Sequence, residues 1–368
     1  MQVTDGSGTT QIRAVRTALP AHRYGQAELT RAVAELSGVD TARRSLLERL
    51  HGHAGVDTRY TALPLADYGQ LGGIGPANDR YIEHATALGE QAISAALDAA
   101  GVAAADVDLL MVTSVTGVAV PSLDALLIPR LGLRPDVKRI PIFGLGCVAG
   151  ATGLARLHDY LRGWPGHTAV LLAVELCSLT VPVASSATPD LVVSGLFGDG
   201  AVALVARGAD AGTPGRGGAA GGGRGPRVIA THGEVVPGTT DVLGWRLESD
   251  GFRIVLAAEL SGVVERHLGA GVRGFLGEHG LKPDDITAWV CHPGGPRVID
   301  AIRDSLSLPD SAVALTRQSL AQVGNLSSAS VLHVLEQTIA AGPPPAGSPG
   351  LLIGLGPGVS IELVLLEW

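Results

Sequence analysis

Short apolar runs alternate with helical patterns between residues 83 and 206, and this alternation constrains the fold of the 368-residue chain more than any other feature. The apolar runs are VDLLMVTSV (107–115), RIPIFGL (139–145), TAVLLAVEL (168–176) and residues 201–206. The first of them, at 107–115, is Val-rich and mostly apolar, which is typical of a strand buried on both faces. The helical patterns of this region are at 83–100, 121–133 and 148–162, and Gly101 is placed to end the first of them; a further helical pattern precedes the region at 29–50. Strands that alternate with helices predict an α/β fold with a substantially parallel sheet.

Part of this pattern repeats after residues 208–227, which are nearly half glycine and predict a flexible surface connection. In the repeat, DITAWVCHP (285–293) resembles the first apolar run, and VGNLSSASVLHVLEQTI (323–339) resembles GCVAGATGLARLHDYL. The repeat predicts an N-terminal half at 1–207 and a C-terminal half at 228–368, with one site at their junction.

Composition excludes several classes of protein. The chain has 27 basic and 35 acidic residues, a formal charge of −8, and no basic run that would follow a nucleic-acid backbone. We expect no nucleic-acid partner. The N-terminus lacks the order of a secretory signal, and no window approaches the about 18 apolar residues of a membrane span. We therefore expect a soluble cytoplasmic protein. Its three cysteines lack the CxxC spacing of a zinc site and predict no disulfide framework.

Cys147 lies where an apolar run gives way to a helical pattern, in RIPIFGLGCVAGATGLARL. A thiol in the first turn of a helix is near the positive end of the helix dipole, which favours thiolate. The neighbouring small residues Gly144, Gly146, Ala149 and Gly150 leave the backbone open to a substrate, and their N–H groups are candidate oxyanion donors. Cys147 is therefore a candidate nucleophile. The alternative is a small apolar residue buried at a strand–helix junction.

Two further side chains would complete a nucleophilic site. His292 follows a predicted strand in CHPGGP, where side chains of parallel sheets point into clefts. Asn325 precedes a helix in VGNLSSAS. Each also has a structural interpretation, as a hydrogen-bonded core histidine and as a helix N-cap. The three residues form a catalytic set only if the fold brings them together.

The same cysteine loop supports a different class of function. GLGCVA fits G-x-G-x-x-A between a strand and a helix, and Glu175 ends the next strand, where a ribose-binding acid belongs in a dinucleotide fold. An NAD(P)-dependent oxidoreductase is therefore an alternative. Against it, the loop would lie in the middle of the sheet, and the segments CHPGGP and VGNLSSAS would have no role.

Six motifs in order resemble one family. They are GLGCVAGATGLARLHDYL, VELCSLT, LFGDGAVALV, CHPGGPRVIDAI, VGNLSSASVLHVLEQ and GLGPGVSIELVL. Over about residues 10–366 the chain resembles the type III polyketide synthases of the chalcone synthase family, in particular the bacterial members. Ketoacyl-ACP synthase III, a second alternative that uses ACP, shares the Cys-His-Asn logic but has a His-Gln-Ala-Asn run where this chain has His292-Pro293-Gly294-Gly295.

The resemblance implies a thiolase-like fold, with two related α/β halves in a layered αβαβα architecture, and a homodimer. It implies that Cys147 accepts the acyl group, that His292 is its imidazole partner and that Asn325 completes the site. The implied substrates are acyl-CoA and malonyl-CoA, with no further cofactor and no metal.

The resemblance also implies roles around the catalytic residues. Phe197 in LFGDG matches a gatekeeper between the CoA tunnel and the cavity, and Cys177 and Thr180 in ELCSLT match residues of the cavity wall. Gly356 and Gly358 are expected to shape that wall. Four arginines are candidates for CoA phosphates: Arg297, Arg43, Arg44 and Arg49. A second gatekeeper of plant members has no clean counterpart, and Phe252 is not assigned that role.

The implied reaction is iterative decarboxylative Claisen condensation of malonyl-CoA onto a starter held on Cys147. The expected product is a pyrone or resorcinol-type ring from an aliphatic starter. A malonyl-only route to a naphthalene or phloroglucinol is the alternative within the same family.

Overall fold

The computed structural model describes residues 8–180, 185, 187–209, 225–248, 251–342 and 344–368. The strands of the described residues are β1 (Thr9–Ala18), β2 (His22–Gly25), β3 (Thr58–Thr61), β4 (Leu109–Thr113), β5 (Lys138–Ile142), β6 (Thr168–Leu176), β7 (Asp199–Ala209), β8 (Arg227–Val235), β9 (Leu243–Glu248), β10 (Gly251–Leu256), β11 (Ala288–Cys291), β12 (Pro349–Gly356) and β13 (Ser360–Glu367). Their α-helices are α1 (Gln26–Leu36), α2 (Thr41–Gly52), α3 (Ile74–Ala100), α4 (Leu123–Leu131), α5 (Ala149–Gly163), α6 (Thr188–Leu196), α7 (Leu260–Glu278), α8 (Pro296–Ser305), α9 (Ala314–Val323) and α10 (Ser330–Ala340).

The main sheet has nine strands in the order β11-β12-β13-β8-β1-β7-β6-β4-β5. Strand β4 is parallel to β5 and β6, and β11 is parallel to β12. The remaining neighbours are antiparallel. The prediction of a substantially parallel sheet is therefore wrong for its centre. A helical crossover that joins two neighbouring strands, such as α4 between β4 and β5, makes that pair parallel. The short turn between β12 and β13 makes that pair antiparallel.

Side chains that alternate along the strands build five layers. On β6, residues 170–176 with even numbers pack against α3 and α4, while odd-numbered residues 169–173 face the central helices α5 and α10. On β13, odd-numbered residues 361–365 pack against α7 and α8, while residues 364 and 366 face the same central helices. The layers run from α3 and α4, through the part of the sheet with β6, to the central helices α5 and α10, and then through the part with β13 to α7 and α8. This order of helix, sheet, helix, sheet, helix confirms the layered α/β architecture expected from the resemblance.

Two of the predicted helices have different bounds. The predicted helix 29–50 is two helices, α1 and α2, because Gly38 takes a left-handed φ of 59° between them. Asp40 then caps α2 by accepting a 2.8 Å hydrogen bond from the Arg43 backbone N–H. The predicted helix 83–100 is the second part of α3, and Gly101 ends it in the left-handed conformation as expected.

The strand pairing that joins the two predicted halves within the main sheet is short. Strands β1 and β8 are paired only at Thr10 with Val228 and at Gln11 with Arg227. Within the predicted glycine-rich connection, residues 210–224 lie outside the described residues. In the part of the chain that the structure describes, no helix combines the length and apolar character of a membrane span.

Candidate active site

The first element of the site is the turn that carries Cys147. Cys147 lies in a 3-10 turn, Gly146–Val148, between β5 and α5, and its side chain is half-buried. Gly146 has a φ of 58°, and a Cβ placed on it would lie 2.6 Å from Cγ of Pro357. This glycine therefore lets the cysteine turn pack against the loop after β12. Gly146 makes room for protein atoms and not, as expected from sequence, for substrate.

The second element is the turn that carries Asn325. A 3-10 turn, Ser327–Ala329, follows Asn325 and leads into α10. A Cβ on Gly150 would lie 2.1 Å from the carbonyl oxygen of Ser328, so the two turns touch through their backbones. The Cys147 thiol donates a 3.5 Å hydrogen bond to Ser327 Oγ. The fold thus brings together two turns that are 180 residues apart in sequence.

Hydrogen bonds fix the orientation of the Asn325 amide. Its Oδ1 accepts from the Ser327 backbone N–H at 2.8 Å and from the Ser330 hydroxyl at 3.1 Å. Because a backbone N–H can only donate, the atom facing it must be the amide oxygen. The Nδ2 group, a donor of two hydrogen bonds, is left for a substrate oxygen. Asn325 is buried, with 2% of its surface exposed, so this donor is held in a preorganised position.

His292 continues β11 beyond its last residue. Its backbone N–H donates a 2.9 Å bond to Ile353 of β12, the strand whose far end packs on the cysteine turn. The imidazole is buried, and Nδ1 has no hydrogen-bond partner among the described residues. Burial lowers the pKa of His292 to about 4. The ring is therefore neutral at pH 7 and, in the free site, a weak base.

Burial also affects the charge of the candidate nucleophile, Cys147. It raises the pKa of Cys147 to about 12, against the lowering effect of the Ser327 hydrogen bond and with a further increase from Glu175. The described residues include no hydrogen bond between Cys147 and His292. The free site therefore favours thiol and imidazole, which differs from the thiolate expected from the helix dipole. Transfer of the thiol proton to His292 creates both charges at once and leaves the net charge of the site unchanged.

Glu175 has a structural position that argues against the dinucleotide alternative. Its buried carboxylate accepts from the Val115 backbone N–H and the Thr116 hydroxyl, both at 3.0 Å, and from the Ser328 hydroxyl at 2.5 Å. Burial raises its pKa, and these hydrogen bonds oppose the shift. Because protein donors occupy the carboxylate, it joins the two halves and is not free to bind a ribose.

Phe197 is adjacent to Asn325. It follows α6, forms an isolated parallel bridge with Asn325, and its carbonyl accepts a 2.7 Å bond from Arg59 Nη1. Gly198 and Gly324 allow this contact: a Cβ on Gly198 would lie 2.2 Å from the Val323 carbonyl oxygen. The backbone of Phe197 is therefore held beside the amide of the site.

The predicted wall residues Cys177 and Thr180 are both buried. Cys177 lines a cavity of about 80 Å³ together with Phe197 and Arg59. The Thr180 hydroxyl donates a 2.7 Å bond to the Cys177 carbonyl. Burial raises the pKa of Cys177 well above its ordinary value, as it raises that of Cys147, so the direction of the pKa shift does not separate the two thiols. Cys291 is also buried, and burial raises its pKa to about 12.

Gly356 and Gly358 lie behind the cysteine turn. A Cβ on Gly356 would lie 2.7 Å from the Val148 backbone nitrogen, and Gly358 takes a φ of 64° in the turn to β13. The absence of a side chain at Gly356 thus lets β12 pack closely against the turn that carries Cys147. Arg297 is exposed in the first turn of α8 and forms no ion pair with the described residues. Arg43, Arg44 and Arg49 are exposed on α2.

The hydroxyl groups of Ser327, Ser328 and Ser330 were not assigned from sequence. Together they bind Cys147, Glu175 and Asn325, although the sequence analysis used GNLSSAS only for its asparagine. The signal was present as a run of serines at the start of an apolar helix, where hydroxyls must find buried partners. Among the described residues, no group of three His, Cys, Asp or Glu side chains is placed to hold a metal.

Comparison with known proteins places this geometry in a family. The family described as chalcone and stilbene synthases matches by its N-terminal domain at residues 2–211 and by its C-terminal domain at 227–368. A 1,3,6,8-tetrahydroxynaphthalene synthase of Streptomyces peucetius is 55% identical over 98% of this chain and 93% of its own length. An alpha-pyrone synthesis polyketide synthase-like protein of Mycobacterium tuberculosis is 29% identical over 97% of this chain and 90% of its own.

The solved structure of the 1,3,6,8-tetrahydroxynaphthalene synthase of Streptomyces coelicolor, a bacterial type III polyketide synthase, superposes with a TM-score of 0.89. It is 31% identical, and the match covers 97% of this chain and 99% of that one. These matches confirm the thiolase-like fold and leave the oxidoreductase alternative without support. The chain belongs to the chalcone and stilbene synthase family, and it is a type III polyketide synthase, an acyltransferase of the condensing class.

Proposed function

We propose that this enzyme builds its product from malonyl-CoA alone and closes the chain to a naphthalene of the 1,3,6,8-tetrahydroxynaphthalene type. The observation that supports condensation is the link from the Cys147 thiol through Ser327 to the Asn325 amide, which places a nucleophile next to a preorganised donor. The support for this product is the 55% identity to the S. peucetius enzyme over 98% of the chain, against 29% for the pyrone relative. This proposal replaces the expected pyrone or resorcinol.

Loading of the enzyme begins with a proton transfer. Neutral His292 accepts the proton of the Cys147 thiol, and the thiolate attacks the thioester carbon of a first malonyl-CoA. The carbon–sulfur bond to CoA breaks, and the proton leaves with CoA. The malonyl group is then a thioester on Cys147. Because the pKa of the thiol is raised and that of the imidazole is lowered in the free site, both return to neutral forms between turnovers.

Extension uses the donors that face the substrate. A second malonyl-CoA places its thioester oxygen near Asn325 Nδ2 and the His292 ring. Loss of CO₂ leaves an enolate whose negative oxygen is stabilised by these hydrogen bonds. The amide suits this step because it donates a hydrogen bond without an acidic proton that would quench the enolate. The enolate carbon attacks the Cys147 thioester, and the longer chain leaves on CoA with Cys147 released as thiolate.

A carbon and hydrogen balance fixes the number of cycles for this product. The name of the S. peucetius enzyme specifies a product with ten ring carbons and four hydroxyl groups. Five malonyl-CoA molecules give that product with the release of five CoA, five CO₂ and one water, and with no oxidant or reductant. Four carboxyl groups leave during extension, and the carboxyl group of the starter leaves during ring closure.

The test is to incubate the purified protein with malonyl-CoA alone and to identify the product by mass spectrometry. We expect a product of composition C₁₀H₈O₄ that is absent with Cys147→Ala. Product only when a long acyl-CoA is added would restore the pyrone or resorcinol function. Product only from malonyl-ACP would instead support the ketoacyl synthase III-like alternative.

We also propose that the active enzyme is a homodimer and that it works in the cytoplasm. Strand β5 is the last strand of the main sheet, and among the described residues it pairs only with β4. Near it lie exposed apolar side chains, with 94% of Val120, 59% of Phe143 and 39% of Ile140 exposed. An apolar edge of this kind fits a second copy of the chain. Sedimentation equilibrium is the measurement: a dimer is expected, and a monomer at assay concentrations would contradict it.

Arg297 and the arginines of α2 are proposed contacts for the CoA phosphates.

A further inference from the structure

A buried cation, Arg59, lines the cavity of about 80 Å³ that Cys177 and Phe197 also line. Only 5% of Arg59 is exposed. Its Nε donates a 3.2 Å hydrogen bond to Gln26 Oε1, and its Nη1 donates the 2.7 Å bond to the Phe197 carbonyl. Its Nη2 is buried and has no hydrogen-bond partner among the described residues. A nitrogen that carries two N–H donors is therefore left for an occupant of the cavity.

The charge of Arg59 is only partly balanced by a neighbouring carboxylate. Asp199 raises the pKa of Arg59, but burial has the larger effect and lowers it to about 10. The Asp199 oxygens accept from the Ala62 N–H at 2.6 Å, from the Ser178 N–H at 2.8 Å and from the Ser178 hydroxyl. Arg59 thus stays charged at pH 7, and a further negative group beside Nη2 would stabilise it.

Much of the remaining wall of the cavity is apolar. Helix α1 contributes Leu29, Val33 and Leu36 to it, and among the described residues that line the cavity Arg59 is the only charged one. A volume of about 80 Å³ holds about five groups of the size of water, at about 15 Å³ each. An occupant with one negative end and a few carbon atoms matches both the charge and the size of this space.

The cavity adjoins the place where the acyl chain is held. Cys177 lines it, and a charge on Cys147 contributes to the raised pKa of Cys177, so the two thiols lie close enough to interact. Phe197, which also lines it, forms the bridge with Asn325. An acyl chain that extends from Cys147 past Cys177 therefore leads toward Arg59.

The proposed reaction places a negative charge at the far end of that chain. The malonyl starter keeps its carboxyl group until ring closure, and each extension inserts two carbons between this group and the thioester. The carboxyl group is ionised at pH 7, since its ordinary pKa is about 4. A carboxylate that enters a buried cavity needs a charged donor to replace its hydration, and a guanidinium nitrogen is such a donor.

We propose that Arg59 Nη2 binds the carboxylate at the far end of the malonyl-primed chain and makes Arg59 a specificity-determining residue for a charged starter. The contact holds the unreacted end of the chain while its thioester end is extended. This inference rests on the proposed function, because only a starter with a second carboxyl group gives such an intermediate. Arg59 acts by binding and takes no part in proton transfer.

The test is a competition between malonyl-CoA and 3-methylbutanoyl-CoA as starters, with malonyl-CoA as the extender. The two acyl groups have nearly the same size, but an uncharged CH(CH₃)₂ group replaces the carboxylate. Mass spectrometry gives the ratio of 3-methylbutanoyl-primed to malonyl-primed polyketide. We expect this ratio to rise about tenfold or more in Arg59→Met, because the charged donor is lost.

Two further variants separate charge from structure. Arg59→Lys keeps a positive charge without the planar fork, and we expect it to retain most of the wild-type ratio. A purely structural role of Arg59 would instead change Arg59→Lys and Arg59→Met alike. The matched control is Val33→Ala, which enlarges the same cavity and removes no charge. Its ratio should not change, because the two starters differ in charge and not in size.

The outcomes distinguish the two levels of the proposal. A wild-type enzyme that makes no product from malonyl-CoA alone overturns the proposed function. A wild type that does so, together with an unchanged ratio in folded Arg59→Met, overturns only the role of Arg59. Thermal unfolding of each variant is measured in parallel. Where Arg59→Met does not fold, the wild type decides: 3-methylbutanoyl-CoA used as readily as malonyl-CoA at equal concentration would overturn the recognition of a carboxylate.

Discussion

The turn that carries Cys147 and the turn that carries Asn325 have the same construction and different chemistry. Each follows a glycine with a positive φ, 58° at Gly146 and 73° at Gly324, and each passes through a 3-10 turn into a central helix. Cys147 is half-buried and bonds one hydroxyl, whereas Asn325 is buried and is held by two bonds to Oδ1 and two through its backbone. The difference fits the two duties that we propose for these turns: a nucleophile must stay accessible, while an electrostatic donor must stay fixed.

Removal of the Cys147 thiol, the more accessible of the two groups, gives the largest expected effect on activity. We expect Cys147→Ala to lower the rate of polyketide formation by roughly 10³-fold or more, because no side chain remains to hold the acyl chain. Product formation from malonyl-CoA is the measurement. Cys177→Ala and Cys291→Ala serve as controls and are expected to keep an acyl-enzyme. A variant without Cys147 that still makes product would contradict the assignment.

The side-chain amide of Asn325, which its hydrogen bonds hold in place, is tested by Asn325→Asp. Aspartate keeps an oxygen that accepts from Ser327 and Ser330, so the turn should stay folded, but it replaces the Nδ2 donor by a second oxygen that repels the enolate. We expect kcat to fall about 10²- to 10³-fold, the usual loss for one oxyanion donor. Steady-state kinetics and thermal unfolding are measured together. Near wild-type kcat with an unchanged Tm would show that the donor is not used.

The charge state of the nucleophile gives a smaller effect that depends on pH. We propose that His292 assists ionisation of Cys147, whose pKa burial raises to about 12, by accepting the thiol proton as the electrophile approaches. We expect His292→Gln to lower the rate of Cys147 alkylation by iodoacetamide at pH 7 about tenfold, and the rate of the variant to rise continuously from pH 7 to 10. Mass spectrometry of the Cys147 peptide measures it. Equal rates at pH 7 would show that His292 does not accept the thiol proton.

The contact between the two turns is tested by Gly150→Ala. The added Cβ would lie 2.1 Å from the Ser328 carbonyl oxygen, so α5 and α10 must separate. We expect a loss of about 1–3 kcal/mol in the free energy of unfolding. Gly163→Ala, at the open end of α5, meets no atom within 4 Å and is the matched control. Denaturant unfolding distinguishes the two, and equal stability would mean that the turns are not in tight contact.

Sequence predicts the parts of this molecule that repeat or that belong to local motifs. The buried strand β6 and the end of α3 at Gly101 follow from apolar runs and capping residues. The positions of Cys147, His292 and Asn325 next to strands and helices were also predicted from such local signals and the family motifs, and their catalytic roles stay a proposal. In each case, the determining signal lies within a few residues of the feature it predicts.

The remaining parts depend on contacts between distant segments. The hydrogen bond from Cys147 to Ser327 joins residues 180 positions apart, and the bond from Ser328 to Glu175 joins residues 153 apart. No local pattern distinguishes such hydroxyls from helix caps. The same holds for the hairpin of β9 and β10, since these are short strands whose packing on α6 has no periodic signature. The antiparallel centre of the sheet was missed because strand direction is set by neighbours that the sequence does not identify.

The division of duties between the two turns is tested most directly by the release of CO₂ from carboxyl-labelled malonyl-CoA. We expect Cys147→Ala to release CO₂ and leave acetyl-CoA without making polyketide, because the Asn325 turn remains intact. We expect Asn325→Asp to acylate Cys147 and to release little CO₂. The opposite result, with CO₂ release lost in Cys147→Ala and retained in Asn325→Asp, would contradict the assignment of decarboxylation to the Asn325 turn.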